Sequence, residues 1–242
     1  MSVSFLDPDL FAASFDAAAL RPAPGQVVAL LGGPAAGRSA LLRAIAGLDA
    51  DVDPVPSAEL GLLGARPHFF PWLGLAENLA FGLPGATPFA REGLIANALV
   101  RVGLSAAADR RPGTLSLGEL QGLALARLSL LRPKLLLIDE PFAGLDEQAQ
   151  HRLAEPFADL CTQGRPAVVI ATASVEESVR LADRILVLPQ KPGPFAYRLD
   201  NLLPRPRDPR SVGFVALRRE LRRALEKEFG GEQPVVAVEV AA

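Results

Sequence analysis

Five short apolar runs punctuate the chain: QVVALLG at 26–32, AELGLLG at 58–64, KLLLIDE at 134–140, PAVVIAT at 166–172 and RILVLP at 184–189. None alternates apolar with polar positions, so each predicts a strand covered on both faces, as in a mostly parallel sheet of an α/β protein. The segments between them carry helical spacing. Leu41, Leu42, Ile45 and Leu48 recur on one helix face, and Ser174 with Glu177 reads as a capping box that opens another helix. Residues 77–109, rich in Ala and Gly, predict an inserted helical subdomain. The Pro/Arg segment LPRPRDPR at 203–210 breaks regular structure and leads into a last helix, where Phe214, Leu217, Leu221 and Leu225 line one face. Arg205, Arg207, Arg210, Arg218, Arg219, Arg222 and Arg223 are read as a solvated face beside that stripe, with lipid or a partner as the alternative. From Gly230 onward a loose tail is expected.

A chain of 242 residues can bury a sizeable core, and 50% hydrophobic with 21% charged residues is an ordinary globular balance. The net charge of -2 argues against a partner gripped by bulk charge, so no nucleic acid is expected. One cysteine, Cys161, and two separated histidines, His68 and His151, cannot build a disulfide framework or a Cys/His zinc site. No apolar run is long enough to span a bilayer, and the opening MSVSFLDPDLF lacks the pattern of a signal peptide. An intracellular protein that meets membranes only through a partner is therefore expected.

Two stretches carry chemistry. The first strand runs into GGPAAGRS at 32–39 and then a helix, the context in which a glycine-rich loop cradles phosphates with backbone N–H groups. Gly32, Gly33, Pro34, Ala35, Ala36, Gly37, Arg38, Ser39 and Ala40 are the candidate nucleotide-binding residues, with the Ser39 hydroxyl placed for Mg²⁺. A Gly/Ala turn that only packs strand against helix explains the same segment. In LLLIDEPFAGLD at 135–146, Asp139 and Glu140 end a buried strand, a costly placement unless they face a cleft and a cation. Asp139 would hold Mg²⁺ through water and Glu140 would polarise an attacking water; two solvated acids at a strand end are the alternative.

With these residues the chain resembles the ATP-binding subunits of ABC transporters along nearly all its length. TLSLGELQGLALARLSLLRPKLLLIDEP at 114–141 resembles the family's signature helix leading into Walker B, and FAGLD at 142–146 its D-loop, with Asp146 the matching acid. FFPWLGLAENLAFGL at 69–83 and PRPRDPRSVGFVALRREL at 204–221 resemble the nitrate, sulfonate and taurine importer branch. The resemblance implies a P-loop NTPase fold of ABC type, ATP and Mg²⁺ as cofactors, a second ATP-binding subunit and transmembrane permease subunits as partners, and a peripheral position on the cytoplasmic face of the inner membrane. It also implies 1–202 as the ATPase domain, with its helical subdomain near 73–120, and 203–242 as a C-terminal segment, helix and tail.

Five positions depart from the family pattern. Arg38 replaces the lysine between β- and γ-phosphates, and no lysine precedes Lys134 to substitute for it. Ala40 replaces a threonine at the α-phosphate. Ala65 stands at the Q-loop glutamine and Ala173 at the histidine that contacts the γ-phosphate. In the signature Leu115, Ser116, Leu117, Gly118, Glu119, the leucine at 117 replaces a glycine, and Ser116 with Glu119 also forms a capping box, which explains both residues without any ligand. The interval 47–65 is short, which suggests a trimmed β-hairpin subdomain, and Phe11 is the candidate adenine-stacking aromatic. Together these losses predict slow or absent hydrolysis at the chain's own P-loop, with a non-catalytic structural subunit as the alternative. Phe69, Phe70, Pro71 and Trp72 are read as an exposed anchor for the permease or as core.

Overall fold

The computed structural model of the chain describes residues 20–33, 36–48, 59–83, 87–190 and 193–230. Those before residue 56, with those from Ala167 onward, form one compact unit; those between Pro56 and Pro166 form a second. Phe11, Pro34, Ala35, most of the short interval 47–65 and the tail beyond Gly230 lie outside the described residues.

The first unit is an α/β layer. Its strands are β1 (Val27–Leu31), β4 (Ala167–Thr172), β5 (Arg184–Val187) and β6 (Tyr197–Asp200), and its helices α1 (Arg38–Ile45), α6 (Val175–Leu181) and α7 (Val212–Phe229). β1 runs parallel to β4, pairing Val27 with Val168, and parallel to β5, pairing Val28 with Arg184. All five residues of β1 are buried, which explains its unbroken apolar run. β6 is antiparallel to β5, so the sheet is mostly but not wholly parallel. The sequence gives no sign of this strand, because Tyr197–Asp200 buries only Leu199. Leu48 corrects the helical stripe: α1 ends at Ile45, and Leu48 lies beyond it, 52% exposed.

In the second unit β2 (Leu60–Leu63) pairs in parallel with β3 (Leu135–Asp139). Gly61 is required there, since a Cβ would meet Pro133 Cγ at 2.7 Å and Leu136 Cδ2 at 2.9 Å. Around this pair stand α2 (Leu75–Ala80), α3 (Pro88–Arg101), α4 (Leu117–Leu131) and α5 (Glu147–Thr162). Helical structure expected at 77–109 is found there in α2 and α3. α4 packs against α2, α3, α5 and β2, and everything from Gln121 to Ala126 is buried.

The Pro/Arg segment forms no helix or strand, and the solvated arginine face fails at Arg207, which is buried while Arg205 is exposed. The last carbonyls of a helix lack partners within the helix. At the end of α6 they are met by side chains from the segment that follows β6. Asn201 Nδ2 donates to the Val179 and Ala182 carbonyls, Arg205 to Leu181, and Arg207 to Arg180 and Ala182. The Arg207 side chain is 1% exposed and is paired with Asp183, which also receives Arg205 and the Val27 N–H. Two cations at a helix C-terminus also suit its dipole. The expected apolar stripe holds on α7, where Phe214, Leu221 and Leu225 are buried. Arg210, Arg219, Arg222 and Arg223 are exposed, and Arg218 approaches Glu176 at 3.8 Å.

Candidate functional site

β1 delivers the chain into the glycine-rich loop. Gly32 and Gly33 are buried, and a Cβ on Gly32 would lie 3.0 Å from Ala36 Cβ and 3.3 Å from Leu188 Cβ. The Ala36 N–H donates to the Gly33 carbonyl at 3.0 Å, turning the loop back toward α1. Gly37, at φ 70° and ψ 21°, enters α1 in the left-handed region that favours glycine, and no side chain caps the helix. Gly37, as N-cap, offers α1 no side chain, and the positive helix end suits an anion. Arg38, Ser39 and Ala40 form the first turn, and Ser39 is exposed. The Arg38 guanidinium folds back and donates through Nη1 to the Gly32 carbonyl. At the far end of the unit's chain, the Phe229 ring abuts Gly33, 3.5 Å from where a Cβ would stand, and Glu228 accepts the Gln190 N–H at 2.8 Å. Nothing in the sequence signals that α7 ends against this loop.

The segment that resembles Walker B, at 135–140, lies in the second unit. β3 buries Leu136, Leu137 and Ile138 and brings Asp139 to its end, where Oδ1 is buried and makes no hydrogen bond. An orphaned carboxylate oxygen of this kind fits a hydrated cation. Glu140 has φ 48°, a conformation that costs a non-glycine residue on the order of 1–3 kcal/mol. The chain then turns through the buried Pro141 and Phe142, and Asp146 caps α5 by accepting the Ala149 N–H at 2.7 Å. That cap is a sufficient structural reason for an acid at 146.

The signature residues open α4. Leu115 precedes the helix, and Ser116 and Glu119 complete the capping box in both directions, at 3.3 Å and 2.8 Å. The Ser116 N–H holds the Glu119 carboxyl below the ordinary glutamate range, with Arg110 contributing at 3.2 Å. Leu117 is 37% exposed and lies beside Gly144, while Gly118 is buried where a Cβ would meet Ala149 Cβ at 2.8 Å. Gly118 thus has a packing reason of its own, the close approach of α4 and α5. A depressed carboxyl stabilises the folded state above the ordinary range, and that contribution is lost as pH falls through the folded value. Amide protection factors in the first turn of α4, taken relative to intrinsic exchange at each pH, are therefore expected to fall on acidification, and the fall to be absent in Glu119→Gln.

The remaining substituted positions are occupied without substitutes. Ala65 follows β2 and its carbonyl accepts from Gln121 Nε2 at 3.3 Å. Ala173 lies between Thr172 and Ser174. Ser174 accepts the Glu177 N–H at 3.1 Å, but Glu177 does not return the bond to the Ser174 N–H. The Thr172 hydroxyl comes between, accepting from Ser174 N and donating to Glu177. The expected capping box is therefore half a box with a threonine relay. Among the described residues, no group of three His, Cys, Asp or Glu side chains could hold a metal, and His68 and His151 are both exposed.

The aromatic segment divides. Phe70 is 40% and Trp72 65% exposed, while Phe69 is half-buried under the Arg127 guanidinium, 4.7 Å from the ring centre. Phe81, 61% exposed and 4.7 Å from Phe70 ring to ring, extends the patch. Sequence reasoning missed Asn78, Gln121 and Arg127, which hold this loop. A polar residue inside an apolar run such as QGLALAR was the available signal.

A family model described as ABC transporter matches residues 15–143. The aliphatic sulfonates import ATP-binding protein SsuB 1 of Pseudomonas fluorescens is 43% identical over 217 residues, covering 88% of this chain and 81% of that protein. SsuB 3 of Nocardia farcinica is 43% identical over 205 residues, covering 84% and 81%. A solved ATP-binding cassette, a dimer in a post-hydrolysis state with ADP and Pi, is similar at TM-score 0.63 and 23% identity, over 74% of this chain and 87% of that one. That last likeness carries the mostly parallel α/β fold alone. The family model and the curated relatives carry more: the chain belongs to the ABC transporter family.

Proposed function

We propose that the chain is the ATP-binding subunit of an ABC importer for a small sulfonate-class anion, with impaired hydrolysis at its own site. The observation that carries ATP binding is the glycine turn from β1 into α1, with Gly37 in the left-handed region as an N-cap that has no side chain. In this reading 1–202 carries the nucleotide chemistry, the insert near 73–120 meets the permease, and 203–242 buttresses the fold. The subunit pairs with a second ATP-binding subunit and sits at the cytoplasmic face of the inner membrane. Among the described residues, no helix is long and apolar enough to cross a membrane.

Backbone N–H groups at 37–40 would donate to phosphate oxygens, and Arg38 would have to leave the Gly32 carbonyl to join them. Each unit offers a donor that suits Mg²⁺: in the first the exposed Ser39 hydroxyl, and in the second Asp139 with its unpartnered Oδ1. When bound, Mg²⁺ neutralises charge on the phosphates. Glu140 would accept a proton from the water that attacks the γ-phosphorus, as the bond to the leaving ADP oxygen breaks. Alanines at 65 and 173 offer neither a polar group nor a charge at the two remaining positions. The signature residues Ser116 and Gly118, with Asp146, would instead complete a site on the partner subunit. A non-catalytic structural subunit is the second reading, favoured by the self-satisfied Arg38–Gly32 bond.

Trp72 tests the permease contact. At 65% exposure it contributes little to the core, so Trp72→Ala is expected to reduce co-purification with permease subunits while shifting Tm by less than about 2 °C. Intact assembly with a large loss of stability would make Trp72 a structural residue instead.

A further inference from the structure

The loop from Ala65 to Gly74 carries the exposed aromatics but is not held by its own backbone alone. Asn78, 1% exposed, accepts the Phe70 N–H at 2.8 Å and donates to the carbonyls of Phe70, Leu73 and Gly74. Two further anchors come from α4. Gln121 Nε2 donates to the Ala65 carbonyl at 3.3 Å, and Arg127 Nη1 donates to the His68 carbonyl at 3.0 Å while its guanidinium covers Phe69. These anchors are six residues apart, about 9 Å along the helix, so the loop is fixed at two points on one rigid element. Gln121 is 1% exposed, and its Oε1 is buried with no hydrogen-bond partner. An apolar side chain would avoid that cost. The amide is accounted for by what its nitrogen holds.

We propose that Gln121 and Arg127 are positioning residues that lock the 65–74 loop to α4, so that the Phe70 and Trp72 platform follows the signature end of that helix without a functional side chain at position 65. The proposal rests on the reading above only for what the platform touches. α4 begins at the Ser116 cap, and Gln121 lies one turn further along. A disturbance at the cap therefore reaches the loop through Gln121 and Arg127, by a contiguous packed path.

The test is a double-mutant cycle on the full chain, needing neither nucleotide nor permease, so its failure and that of the transport reading are separable. Trp72 is the single tryptophan, and its acrylamide quenching reports the loop directly. Ser116→Ala removes the cap and is expected to raise amide exchange at Phe70 and Leu73 about fivefold, with a smaller rise in the quenching of Trp72, which is already 65% exposed. In a Gln121→Leu/Arg127→Met background the same change is expected to leave the loop unaffected, with the fold checked by circular dichroism. Arg127→Lys, which keeps a donor and a charge, is expected to retain most of the response and carries the test where the double variant does not fold. An equal Ser116→Ala effect with and without the two anchors, or no effect in the native chain, would overturn the proposal.

Discussion

Purified alone, the chain is expected to hydrolyse ATP at least about 10²-fold more slowly than its triple variant Arg38→Lys, Ala65→Gln, Ala173→His, because each restored group stabilises charge in phosphoryl transfer. The single changes are expected to recover less than about tenfold each, since groups that act as a unit are non-additive. The physical basis differs by position. Arg38 already spends a donor on the Gly32 carbonyl, and its planar fork is wider than an ammonium. At 65 and 173 a methyl group stands where the family has a hydrogen-bonding side chain. Steady-state turnover of the unmodified chain, the triple variant and the three single variants measures this. Robust turnover by the unmodified chain, abolished by Glu140→Gln, would make it an ordinary transport ATPase.

The largest stability effect is expected at Asp183, far in sequence from the glycine loop. Its carboxylate accepts from Arg205, from Arg207 and from the N–H of Val27 at the start of β1. Asp183→Ala leaves the Arg207 guanidinium, 1% exposed, buried without its counter-charge, and is expected to cost about 3–5 kcal/mol in urea unfolding. Adding Arg207→Met should recover part of that loss, because the buried charge then goes too. A loss under about 1 kcal/mol would mean that solvent compensates the pair.

β1, β4 and β5 were legible because burial on both faces leaves no room for polar residues; β2 has the same kind of run but is not covered on both faces, with Leu62 36% exposed. β6 was not legible, since an edge strand of four residues buries only Leu199 and carries no such pattern. Arg207 was misread for a related reason. Composition places arginines in solvent, and only the fold brings the Asn201–Arg207 stretch beneath the carbonyls of α6. At the candidate site the glycine turn from β1 into α1 was legible at Gly32, Gly33 and Gly37, and the capping box of Ser116 and Glu119 from its spacing; the cap that Asp146 provides for α5 was not read. The clamp on the aromatic loop was hidden, because Gln121 and Ala65 are 56 residues apart and no local rule pairs them. The contact of Phe229 with Gly33 spans nearly the whole chain and is equally beyond pattern reading.

The most direct measurement is isothermal titration of the purified chain with ATP, with and without Mg²⁺. The proposed function predicts saturable one-to-one binding that Mg²⁺ strengthens, and loss of the Mg²⁺ effect in Asp139→Asn, since Oδ1 of Asp139 is the buried oxygen without a partner. No binding under either condition, or binding indifferent to both Mg²⁺ and Asp139, would contradict it and leave the chain a structural member of its family.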